Sequence, residues 1–141
     1  MHAASPAMLL TSVVTILAII LYVVIGGRVA TMRGKHSVAA PATTGHPEFE
    51  RAYRVQMNTL EQFPIFFPAL WLATVYFTMI GWLAPALGLL WVIGRVLYMQ
   101  AYMTDPSKRG LGFGISFLAQ LALVVLAVIG IVMAWTVVTA T

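Results

Sequence analysis

Between Arg51 and Gln62 the chain places two guanidinium groups, a carboxylate and three carboxamides within twelve residues. At about 100° of helical rotation per residue, Arg51, Arg54, Asn58, Glu61 and Gln62 share an arc of roughly 100°, and Gln56 points away from it. A second run repeats the pattern. Arg95, Tyr98 and Tyr102 stand at i, i+3 and i+7, within about 60° of one another, so one helix face offers a cation and two phenols. Arginine grips carboxylates in a bidentate fashion, Glu61 can accept from an ammonium group, and Asn58 can satisfy an amide. Together these groups suit an anionic, peptide-like ligand. An ion pair that merely ties the bundle would account for Arg54 and Glu61, but it accounts poorly for the whole stripe.

Other chemistries find little support. The chain has no cysteine, which removes disulfides, a thiolate nucleophile and thiolate metal sites. His2, His36 and His46 lack metal-ligand spacing, so no metal centre is predicted and each imidazole is expected to be simply solvated. Ser, His and Asp are too scattered to argue a hydrolytic triad. Gly110, Gly112 and Gly114 alternate, but no strand precedes them, so they are not a dinucleotide fingerprint.

The elements that carry these residues are set by composition. Of 141 residues, 61% are hydrophobic and 9% charged, too apolar and too short to hide in one soluble core. The pattern predicts an all-α membrane protein, a single domain over 1–141 with four spanning helices near 8–25, 47–80, 86–103 and 106–138. The first run has no basic stretch before it and no cleavage-like site after it, and it reads as a retained helix. Gly26 to His46 is expected to be a loop carrying Arg28, Arg33 and Lys35. Pro47, followed by Glu48 and Glu50, marks the start of the second helix, which Pro64 and Pro68 should kink. Asp105 and Pro106 mark the start of the fourth. Arg95 lies about nine residues into the third span, too deep to snorkel readily, and should face the bundle and a partner. Tyr98 and Tyr102 alone would suit a headgroup belt, as would Trp71, Trp82 and Trp91 in part.

Eight Lys and Arg face four Asp and Glu. In a soluble domain that balance would suggest nucleic acid. Here the cations gather in two connections, at Arg28 to Arg54 and at Lys108 and Arg109, so they read as topology signals and no nucleic-acid partner is expected. The positive-inside tendency puts both basic connections on the cytoplasmic side and both termini on the other. For Arg28, Arg33 and Lys35, topology and lipid headgroups suffice as explanation.

The run TTGHPEFERAYRVQMNTLEQFPIFFPALW, Thr43 to Trp71, resembles the signature of the MAPEG family, membrane-associated proteins of eicosanoid and glutathione metabolism. The match combines PEFER, the R-x-x-x-N-x-x-E spacing of Arg54, Asn58 and Glu61, and the following FP. GRVLYMQAY, Gly94 to Tyr102, is similar to the family's R-x-x-Y-x-x-x-Y pattern. The resemblance implies a homotrimer that holds glutathione as co-substrate between subunits near the cytoplasmic face. It also implies conjugation to lipophilic electrophiles or reduction of lipid hydroperoxides. It puts Arg54, Asn58, Glu61, Tyr98 and Tyr102 on glutathione, with Arg51 and Arg95 assisting and Gln56 reaching it from a neighbouring subunit. Arg109 aligns with the arginine that activates the thiol in the subgroup resembling leukotriene-C synthase. Gln62 stands where that subgroup has tyrosine, so this contact is altered and an eicosanoid substrate does not follow. Gly110, Gly112 and Gly114 would either leave room for the lipophilic substrate or serve close helix packing. Two alternatives differ in class. A relative like the five-lipoxygenase-activating protein would bind and present a lipid without catalysis, which the retained Arg54, Asn58, Glu61 and Arg109 argue against. A small multidrug transporter would need an acidic residue in the first span, which has none.

Overall fold

The computed structural model describes residues 5–140. Four long helices make the fold: α1, Pro6–Lys35; α2, Pro47–Tyr76; α3, Leu83–Thr104; and α4, Gly110–Thr139. A 3₁₀ turn, Pro106–Arg109, joins the last two. The helix starts follow from capping chemistry. Ser5 accepts from the Met8 amide at 3.2 Å ahead of Pro6, and His46 Nδ1 accepts from the Glu48 amide at 3.2 Å ahead of Pro47. Asp105 accepts from the Ser107 amide at 2.9 Å and its hydroxyl at 2.7 Å, bonds that hold the Asp105 carboxyl below its ordinary range.

Three boundaries differ from expectation. Helix α1 does not stop near Ile25 but runs through Gly26 and Gly27 to Lys35, so Arg28, Arg33 and Lys35 are helical rather than in a loop. Glycine weakens a helix by about 1 kcal/mol. That cost is offset where Val29 packs into a small core with Val38, Phe49 and Ala52. Helix α2 stays continuous through Pro64 and Pro68 but ends at Tyr76 rather than near Ile80. At that point α4 crosses so closely that a Cβ on Gly130 would lie 2.6 Å from the Tyr76 carbonyl carbon and the Phe77 amide. The expected fourth helix from Pro106 is two elements, because the Asp105 cap winds the first four residues into the tighter 3₁₀ turn.

Three helical stretches, Pro6–Lys35, Leu83–Thr104 and Pro106–Thr139, are long and apolar enough to cross a membrane. Helix α2 falls short because its apolar part is cut off at Tyr76 and the polar stripe occupies the turns before it. Its apolar face, with Phe66, Leu70 and Ala73 fully buried, packs inside the bundle against the other helices. Along α1 and α4, Leu9, Val13, Val23, Leu118, Val128 and Val132 are among many large apolar side chains at the surface. Water would not tolerate so continuous an apolar surface. The chain is an integral membrane protein.

The bundle closes through small and polar contacts as well as apolar ones. Thr11 and Thr74 share a buried 2.8 Å hydrogen bond between α1 and α2, and Phe66 stacks on Trp91 with ring centroids 3.9 Å apart. Helices α3 and α4 approach most closely at Gly94 and Gly112. A Cβ on Gly94 would sit 2.6 Å from the Ser116 amide nitrogen, and one on Gly112 would collide with the Tyr98 backbone. Of the three glycines at the start of α4, then, Gly112 serves packing, while Gly110 and Gly114 have open space where a Cβ would be.

The basic end of α1 is latched to the start of α2, ahead of the apolar half. Glu48 accepts from Lys35 at 2.7 Å and pairs with His36 Nε2 at 2.9 Å, and these partners hold its carboxyl down at about 2. The His36 and His46 rings stack at 3.5 Å between centroids, 9° from parallel. Both are partly buried, so the expectation of solvated imidazoles is corrected for these two: His46 is spent on the cap and His36 on Glu48. His2 lies outside the described residues.

Candidate functional site

Helices α2 and α3, the 3₁₀ turn and the first turn of α4 meet around a cavity of 580 Å³. Its walls are Arg54 and Asn58 from α2, Tyr98 and Tyr102 from α3, Arg109 from the 3₁₀ turn and Phe113 from α4. The i, i+4 spacing of Arg54 with Asn58 and of Tyr98 with Tyr102 gives α2 and α3 two side chains each on one face, and the junction of the 3₁₀ turn with α4 adds Arg109 and Phe113. The close approach at Gly112 sets the depth. Because α4 rests on the Tyr98 backbone, the preceding turn swings Arg109 over Tyr102, its Cζ 5.6 Å from the ring centroid. Tyr98 lies 5.4 Å from Tyr102 and 6.4 Å from Phe113, centroid to centroid, and is almost wholly buried. Arg54 and Arg109 remain exposed.

The other predicted residues have different settings. Arg51 is a neighbour of the cavity: its guanidinium donates to the carbonyls of Met103 and Thr104, both at 3.3 Å. A cation there matches the negative end of the α3 dipole. Arg51 also lines an adjoining 440 Å³ cavity that shares Arg54 and Tyr102 with the first. Glu61 is exposed beside Asn58, with Nδ2 to Oε2 at 3.5 Å, and does not line either cavity. Arg95 is fully buried behind Asn58. Gln62 is buried too and accepts from Trp91 Nε1 at 2.9 Å, so within this chain its carbonyl serves the α2–α3 packing. Gln56 is half-buried toward α1, where its amide nitrogen lies 3.3 Å from the position of a Cβ on Gly26.

Two neighbours, Phe113 and Thr59, were absent from the sequence reading, and a third, Trp91, was given another role. Phe113 was signalled by its position four residues after Arg109, on the same helical side. Thr59, which accepts from Arg95 at 2.7 Å, flanks the polar stripe. Trp91, read as a belt residue, is fully buried and its indole N–H has found Gln62.

Chemically, the main cavity presents two fixed cations, two phenols, one carboxamide and one phenyl ring. Its volume falls in the range of roughly 300–1,000 Å³ typical of small-molecule sites. Guanidinium groups at two corners favour a ligand with two separated anionic groups, and the phenols supply further donors.

Comparison with known proteins supplies the family. The profile of the MAPEG family matches residues 11–129. An uncharacterized protein of Synechocystis sp. is 42% identical over 120 residues, covering 85% of this chain and 86% of that protein. Microsomal glutathione S-transferase 2 of Mus musculus is 43% identical over 104 residues, covering 74% of this chain and 69% of the relative. Leukotriene C4 synthase of Cavia porcellus is 37% identical over 122 residues, covering 86% and 80%. The matched region holds α2, α3 and the first turns of α4, and with them every residue of the main cavity. An all-helical membrane bundle with this site, matched by the profile over most of its length, belongs to the MAPEG family.

Proposed function

We propose that the protein is a membrane-bound glutathione transferase that joins the glutathione thiolate to lipophilic electrophiles, with peroxidase activity toward lipid hydroperoxides as a companion reaction. The convergence of Arg54, Asn58, Tyr98, Tyr102 and Arg109 on one cavity carries this reading. Glutathione has two carboxylates, and the cavity has two exposed guanidinium groups to receive them or the sulfur. Glu61, exposed beside Asn58, would receive the ammonium group. Gln56 and Arg51 would complete the site where a second subunit adjoins it in a homotrimer.

A free thiol has a pKa near about 8.5 and is mostly protonated at neutral pH, whereas the thiolate is the nucleophile. Positive charge at sulfur is therefore what the site must supply. Arg109 is the residue immediately before α4, and no side chain caps the first amides of that helix. A guanidinium near the start of a helix favours an anion, and each pKa unit gained corresponds to about 1.4 kcal/mol. The second substrate would enter from the bilayer. Gly110 and Gly114 leave open space beside Arg109, and Leu111 and Phe117 present apolar surface toward lipid. In the bilayer, the basic end of α1, the 3₁₀ turn with Lys108 and Arg109, and the site would face the cytoplasm, with both termini opposite.

Detergent-purified protein given glutathione and a generic electrophile such as chlorodinitrobenzene is expected to form the conjugate at a rate saturable in both substrates. Glutathione binding with no conjugate from any electrophile tried would favour a non-catalytic lipid-presenting relative instead.

A further inference from the structure

Arg95 stands behind the cavity rather than in it. Its guanidinium donates through one terminal nitrogen to Asn58 Oδ1 at 3.0 Å and through the other to Thr59 Oγ1 at 2.7 Å, and its Cζ lies 4.1 Å from the Tyr98 ring centroid. The Nε atom is buried without an acceptor, and among the described residues no carboxylate pairs with this guanidinium. As a fastener alone it is a poor choice. A buried charge with an idle N–H and no counter-ion costs more than an apolar side chain of the same size would. Its contacts instead converge on two residues of the cavity wall.

The donor inventory then dictates what Asn58 can offer. Arginine only donates, so the Asn58 atom facing it must be the carbonyl oxygen, and the NH₂ group of the same carboxamide is the part left over. That nitrogen is 3.5 Å from Glu61 Oε2, at the outer limit of a hydrogen bond, and so retains capacity to donate. Without Arg95 the carboxamide could rotate and present either end. The geometry points to Arg95 as a positioning residue that locks Asn58 as a donor and steadies the Tyr98 ring, so that the ligand group received at Asn58 is an acceptor oxygen, a carboxylate or amide carbonyl. This rests on the glutathione reading, since that tripeptide carries both kinds of oxygen.

The test measures glutathione affinity by isothermal titration, together with thermal stability, on the detergent-purified full chain and three variants. Arg95→Lys, again donor-only, is expected to hold Kd within about threefold, while Arg95→Met, with no donor, raises it at least about tenfold. Asn58→Asp gives Arg95 an acceptor and a charge partner but leaves the ligand no donor. It is expected to melt at or above the wild-type temperature and yet to bind glutathione at least about tenfold more weakly. This last variant keeps the question decidable should Arg95→Met fail to fold. Wild-type affinity in a folded Arg95→Met protein, or in Asn58→Asp, overturns the positioning role alone. A wild-type chain that binds no glutathione overturns the functional reading and the inference with it.

Discussion

Arg109→Ala is expected to bind glutathione but leave its thiol protonated, with kcat for conjugation at pH 7 lowered severalfold, up to about twenty-fivefold. The range follows from the thiolate fraction. At a free-thiol pKa near about 8.5 only a few per cent is ionised at neutral pH, and a lowering of one or two units brings that to about a quarter or more. A thiolate of lower pKa is a somewhat weaker nucleophile, which trims the gain without removing it. Binding should survive because Arg54, Asn58, Tyr98 and Tyr102 remain on the walls. A pH profile separates this from general damage: the variant's kcat should climb steadily toward pH 9, while the wild-type value levels off at lower pH. Ultraviolet difference absorbance of the bound thiolate gives the same answer directly. Equal thiolate in both proteins removes Arg109 from the role proposed for it.

Gly112→Val is expected to have the largest effect on the fold. Even a Cβ at this position would collide with the backbone of Tyr98, and backbone cannot rotate out of the way as a side chain can. Overpacking typically costs about 1–3 kcal/mol, and a clash with main chain on a facing helix belongs at or beyond the upper end. The variant should show no cooperative melting transition in detergent, or one lowered by at least about 10 °C. Because the α3–α4 contact also carries Arg109 to Tyr102, any protein that does fold should lose activity as well. Gly114→Ala is the control. Its Cβ meets open space, and exchanging helical glycine for alanine generally adds about 0.5–1 kcal/mol, so its melting temperature should hold or rise. Similar melting of Gly112→Val and wild type would mean that the two helices are not pressed together at this point.

The helical rotation of Arg54 and Asn58, and of Tyr98 and Tyr102, was legible in the sequence because 3.6-residue periodicity assigns side chains to faces. What periodicity cannot give is which neighbour each edge of a face meets. Gln62 lies on the edge of the stripe turned toward α3, where the indole N–H of Trp91 needed an acceptor, and so it went to packing. Arg95 shares an arc with Tyr98 and its depth was legible from its place in the span, but that Asn58 and Thr59 are its partners depends on how α2 packs on α3. Helix ends failed for a related reason. Gly26 and Gly27 are breakers by propensity, yet tertiary packing at Val29 carried α1 through them. The end of α2 at Tyr76 is imposed from outside, by the approach of Gly130 more than fifty residues later in the chain. The 3₁₀ turn, by contrast, follows from the Asp105 cap, whose residues were recognised but whose tighter winding was not.

The central claim is that one cavity, walled by Arg54, Asn58, Tyr98, Tyr102 and Arg109, is where glutathione sits. The most direct measurement is an experimental density map of the purified protein saturated with glutathione. It should show the tripeptide against those five side chains, with its sulfur nearest Arg109. Glutathione ordered elsewhere on the protein while this cavity holds only solvent would contradict the account.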